Sequence, residues 1–145
     1  MSENIFWLFG TKWQVGYGLE RVVENGKTEY LDYKDIIKIL HPHIVWFYEE
    51  DDDYQGDFFC CGYDKNNNWY FIQGSFGSCS GCDWLQSLET IKEAKEFLNH
   101  FKKTVIVKTT KNEIIDYMMD TENNVDWSKD TLEKLVQKIK ELNHS

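Results

Sequence analysis

Cys79 and Cys82 form a Cys-x-x-Cys pair inside the run Gly74-Ser75-Phe76-Gly77-Ser78-Cys79-Ser80-Gly81-Cys82-Asp83. A turn rich in glycine and serine lets two such sulfurs face one point, which is half of a tetrahedral zinc site. Two further cysteines, Cys60 and Cys61, lie on the preceding strand pattern and offer a third thiolate. Adjacent strand residues point to opposite faces, so one of the two is expected at a shared metal unless the strand bulges there. The other of these two cysteines, Asp83, His41 and His43 are candidates for the remaining position. The same pair supports a second chemistry. Between a strand and a helix, a Cys-x-x-Cys can act as a redox couple, with Cys79 as the attacking thiolate. Against this, no proline follows the motif and the strand–helix order is not that of a thioredoxin. A third reading needs no chemistry, because cysteine packs well as a small buried hydrophobe.

Other chemistries find less support. The zinc-dependent nucleobase deaminases place a proline before their Cys-x-x-Cys and add a His-x-Glu motif; here Ser78 precedes the pair, and His41-Pro42-His43 lacks the glutamate. Glu49 to Asp53 lacks the ligand alternation and turn glycine of a calcium loop. Gly16-Tyr17-Gly18 opens no helix, so it is not a dinucleotide fingerprint. Neither a phosphate loop nor a nucleophile elbow is found.

The elements that must position these residues follow from periodicity. Ile5–Phe9 reads as a short buried strand and Gln14–Val23 as a second, with Gly16 and Gly18 suggesting a bulge or close packing. Glu24-Asn25-Gly26-Lys27 is a turn before a short strand over Thr28–Leu31. Asp32 caps a helix over Tyr33–Leu40, and Pro42 closes it. His43–Glu49, Asp57–Tyr63 and Trp69–Gly74 read as an antiparallel meander joined by polar turns. Its aromatic residues would alternate between a helix-packed face and a second face that is either covered or a binding surface. Asp83–Ser87 begins a short helix. A capping box at Thr90 and Glu93 starts a longer one carrying Ala94, Phe97, Leu98 and Phe101 on one face. A strand over Thr104–Thr109, a short helix over Asn112–Asp120 and an amphipathic C-terminal helix starting at Asp130 complete the chain. The expected fold is α+β, one domain over residues 1–145: an antiparallel meander with helices packed on one side and a C-terminal amphipathic helix.

A formal net charge of -9 argues against a nucleic-acid partner and against anionic lipid, and allows a basic protein surface. The aromatic share of 16% promises a core built on large rings. The N-terminal apolar run Ile5–Phe9 lacks the basic start of a signal peptide, and no run approaches the roughly 20 apolar residues of a membrane span. A cytoplasmic location is therefore expected, in which cysteines are thiols, metal ligands or redox groups.

The segments Tyr54-Gln55-Gly56-Asp57, Asn68-Trp69-Tyr70-Phe71 and Gly77-Ser78-Cys79-Ser80-Gly81-Cys82-Asp83 resemble a motif of small proteins from phages, bacteria and large viruses. That group shares a Tyr-x-Gly strand, an aromatic strand, and a Gly-Ser-Cys-Ser-Gly-Cys-Asp loop. The resemblance spans residues 54–83 and implies that the motif is a unit, in a viral or mobile-element setting. It implies no activity.

The sequence thus predicts a small acidic binding domain that uses the Cys79/Cys82 loop, with zinc as a candidate cofactor and a protein as the partner. The alternative is a cysteine-dependent enzyme or a thiol–disulfide protein working through Cys79 and Cys82.

Overall fold

The structure is a computed structural model that describes residues 4–16, 18–51, 55–78, 83–120 and 129–142. Its class is α+β, with two antiparallel four-stranded sheets and four helices among these residues. The chain divides into two compact units, Met1–His41 with Phe76–Lys103 and Pro42–Ser75 with Thr104–Ser145. No shift in composition marks the points where the chain passes from one unit to the other.

In the first unit, β1 (Ile5–Leu8), β2 (Thr11–Val15), β3 (Leu19–Val22) and β4 (Thr28–Tyr30) form an up-and-down sheet in chain order. The register Phe6↔Trp13 and Val15↔Leu19 gathers four buried side chains onto one face. β1 is therefore half-buried, not buried throughout as the apolar run Ile5–Phe9 suggested. Trp7 points the other way and is 68% exposed. Phe9 and Gly10 close the β1–β2 hairpin with φ of 51° and 74°. Two left-handed residues match the twist of the flanking strands. The stretch expected as one strand over Gln14–Val23 is interrupted between Val15 and Leu19, where Gly18 takes φ 118°. The glycines there separate two strands; they do not bulge one. The Asn25-Gly26 turn forms as expected, with φ of 64° and 72°.

Asp32 caps α1 (Tyr33–Leu40) by accepting from the Asp35 amide at 2.9 Å, and Asp35 returns the bond to the Asp32 amide. α1 buries Tyr33, Ile36, Ile37 and Leu40. α2 (Ile91–Lys103) starts at the expected Thr90/Glu93 box and buries Ala94, Phe97, Leu98 and Phe101. It packs on α1 and on β1.

In the second unit, β5 (Val45–Glu50), β6 (Gly56–Tyr63), β7 (Trp69–Phe76) and β8 (Ile106–Lys108) form the other sheet in chain order. α3 (Lys111–Met119) and α4 (Lys129–Glu141) bring Ile114, Met118, Leu132, Leu135 and Ile139 against Phe59, Cys61, Trp69 and Phe71. α4 begins at Lys129, so Asp130 sits in its first turn and is not the cap. Phe58 and Cys60, on the opposite face of β6, are equally buried. The aromatic strand is thus covered on both faces, and the open binding face considered for it is not found at β6.

Gly62 has a steric reason to be glycine. A Cβ at this position would lie 2.5 Å from the Val45 carbonyl oxygen and 2.6 Å from Cγ2 of Ile44. Neither the paired backbone nor a β-branched side chain yields cheaply. Gly62→Ala is expected to cost about 1–3 kcal/mol, read as a lower midpoint in chemical denaturation. An unchanged midpoint would show that β5 gives way freely.

Candidate functional site

Asp83 is the one buried charged residue among those described, 6% exposed at the C-terminal foot of the cysteine loop. Its carboxylate ties the two ends of that loop together. Oδ2 accepts from the Gly77 amide at 2.8 Å and from Gln86 Nε2 at 3.4 Å. Oδ1 accepts from the Tyr33 hydroxyl at 2.7 Å and from the Gln86 amide at 3.3 Å. Gln86 Nε2 also donates to the Gly77 carbonyl at 2.9 Å, and Tyr33 in turn accepts from the Leu85 amide at 3.1 Å. Burial and the bond to Asp83 both raise the Tyr33 pKa, so the phenol stays protonated and donating.

This arrangement is local in origin. Asp83-Trp84-Leu85-Gln86 has the Asp-x-x-Gln spacing of a helix start, and a short 3-10 turn follows over Leu85–Ser87. The spacing was readable in the sequence. The partners Tyr33 and Gly77 were not, because they lie 50 and 6 residues away in the chain.

Beside Asp83, Trp84 is 42% exposed and stands edge-on to Phe97, with ring centroids 4.9 Å apart, and to His100 at 5.0 Å. An amphipathic ring is thereby packed beside Asp83 while part of it stays exposed.

Cys79 and Cys82 themselves lie outside the described residues. The residues proposed to join them are placed as follows. Cys60 and Cys61 are both buried in β6, on opposite faces as strand alternation requires. Cys61 packs in the second unit's core among Phe59, Trp69 and Phe71. Burial pushes its thiol up to about 12. A buried thiol among apolar walls packs as a small hydrophobe. Asp83 has its acceptor positions filled by protein donors. His41 Nε2 lies 3.1 Å from the Phe101 carbonyl, so it donates there, and burial lowers the imidazole pKa. Lys102 donates to the neighbouring Leu40 carbonyl at 2.6 Å, so this corner completes the C-terminus of α1. His43 is exposed. Among the described residues no group of three or more His, Cys, Asp or Glu is placed to hold a metal ion.

The Cys61 placement has a simple check. The thiol is expected to react with an aromatic disulfide reagent only after denaturation. Cys61→Ser is expected to cost about 1–3 kcal/mol, since a hydroxyl would enter an apolar pocket. Cys61 labelling at the native rate of an exposed thiol would contradict it.

No protein-family model matches the chain, and neither the curated proteins nor the solved structures contain a match to it. No described helix is long and apolar enough to cross a membrane.

Proposed function

We propose that this protein is a non-catalytic binding domain whose contact element is the loop between Gly77 and Asp83 together with the exposed ring of Trp84. The observation that carries this reading is the Asp83 carboxylate, which spends its acceptor capacity on fastening both ends of that loop. A fastened loop loses less conformational entropy on meeting a partner, so more of its contact energy appears as affinity. The net charge of -9 favours a basic protein surface as that partner.

Zinc on Cys79 and Cys82 is one form of the same reading, in which the metal would stiffen the loop further. The enzymatic alternative needs a base beside Cys79, and the sequence offered Asp83 and the histidines. The Asp83 carboxylate serves loop closure, and His41 Nε2 serves the α1 terminus.

The test is affinity capture from the native host with wild-type protein beside Trp84→Ala and the Cys79→Ser/Cys82→Ser double variant. A basic protein retained by the wild type and lost with both variants is expected. Retention unchanged by either variant would refute the loop as contact element. Metal analysis of the same samples distinguishes the zinc form, at about one zinc per chain lost in the double variant. A single hyperreactive thiol in a zinc-free sample would favour the enzyme.

A further inference from the structure

Away from the cysteine loop, the first unit carries an open cleft of about 540 Å³ between the tips of its two hairpins. The volume lies within the usual range of small-molecule sites. Its walls follow from strand alternation. Trp13 and Arg21 are directly paired, and Trp13 is fully buried, so their chain neighbours Lys12 and Val22 lie on the opposite face. Trp7 is paired with Lys12 and shares that face. The result is an indole 68% exposed, a lysine ammonium 6.0 Å from its ring centroid, and the apolar side chain of Val22 alongside. Arg21 also borders the cleft, but Glu29 accepts from its guanidinium at 2.5 Å, so Lys12 supplies the positive charge. Gly10 and Gly26 form the rims in left-handed conformations. A Cβ on either would meet nothing within 4 Å, so a ligand can approach their backbone closely.

A flat ring beside a cation selects a flat ring that carries an anion. Stacking uses the open face of Trp7, and charge pairing turns the anionic end toward Lys12. We propose that this cleft binds a small ligand in which an aromatic ring bears an anionic group, the chemistry shared by nucleoside monophosphates, aryl phosphates and aryl carboxylates. The site is independent of the Cys79/Cys82 loop.

Titration of the full chain with adenosine monophosphate, 1-naphthyl phosphate and 1-naphthoate, followed by calorimetry, tests it. Adenosine and inorganic phosphate serve as half-ligands. At least one aryl anion is expected to bind with a Kd below about 1 mM, and about tenfold more tightly than either half-ligand. Which of the three binds identifies the source of the anion. Trp7→Leu and Lys12→Gln are each expected to weaken it about tenfold, while Trp7→Phe and Lys12→Arg retain most of the affinity. Trp7 is exposed and Lys12 half-buried, and unchanged melting confirms that the variants fold. The proposal is overturned if none of the three aryl anions binds, if a half-ligand binds as tightly, or if Trp7→Leu and Lys12→Gln bind as the wild type does.

Discussion

Asp83→Ala is expected to destabilise the first unit by about 3 kcal/mol or more, the largest effect of any single polar substitution considered. The carboxylate receives the Tyr33 hydroxyl, the Gly77 and Gln86 amides and the Gln86 side chain. Removing it strands two buried donors, the Tyr33 hydroxyl and the Gly77 amide, and each unpaired donor costs about 1–3 kcal/mol where water cannot replace the acceptor. Asp83→Asn keeps the volume but exchanges one acceptor for a donor that would face other donors, so it should fall between wild type and Ala. Tyr33→Phe removes one donor to Asp83 and the acceptor of the Leu85 amide, and should cost about 1–3 kcal/mol on its own. In the Asp83→Ala background the same change should cost less, because its acceptor is already gone. Urea unfolding of the two single variants and the double variant measures this coupling. Independent, additive effects, or a loss below about 1 kcal/mol for Asp83→Ala, would show that the network is not what closes the loop. The experiment also bears on binding. If loop closure is the function of Asp83, the variant should lose partner affinity even under conditions where it remains folded.

Trp13→Ala is expected to cost about 3–5 kcal/mol. The indole is fully buried beside Phe6, Val15 and Leu19, and its removal leaves a cavity too large for the sheet to close. Its Nε1 also donates to the Leu8 carbonyl at 2.9 Å, next to the Phe9-Gly10 turn. Trp13→Phe separates the two contributions, retaining most of the packing and losing the hydrogen bond. It should cost roughly a third as much as the alanine variant. The change in melting temperature reads both. Equal losses for Phe and Ala would mean that the hydrogen bond dominates, and a loss below about 1.5 kcal/mol for Ala would mean that the site repacks. Because Trp13 and Lys12 are adjacent on β2, the alanine variant should also disturb the cleft on the opposite face.

Some of this protein was legible from its residues alone, and the reason lies in the range of the forces involved. The α1 helix appeared with its Asp32 cap and its Ile36, Ile37 and Leu40 face, and α2 with its Thr90/Glu93 box. Capping and amphipathic periodicity act within a few residues, so the sequence writes them down directly. The Asn25-Gly26 turn was equally readable, because both residue types tolerate left-handed backbone. The β1–β2 hairpin was not, since Phe9 is a poor candidate for φ 51° and carries no turn signature. The α+β class and the antiparallel strands of the meander also followed from local pattern.

Tertiary structure alone decided the rest. Periodicity shows that β6 has two apolar faces, but only folding shows that both are covered, which placed Cys61 in a hydrophobic core. The sequence marked Asp83 as a chemical group beside two cysteines. Its role as a fastening came from Tyr33, fifty positions away, which no local rule connects to it. The cleft beside Trp7 depends on register, because a one-residue slip would turn the indole into the core and Trp13 out to water. Short-range preferences fix the elements; the pairing of distant segments fixes which polar groups are spent on holding the fold and which are left to meet a partner.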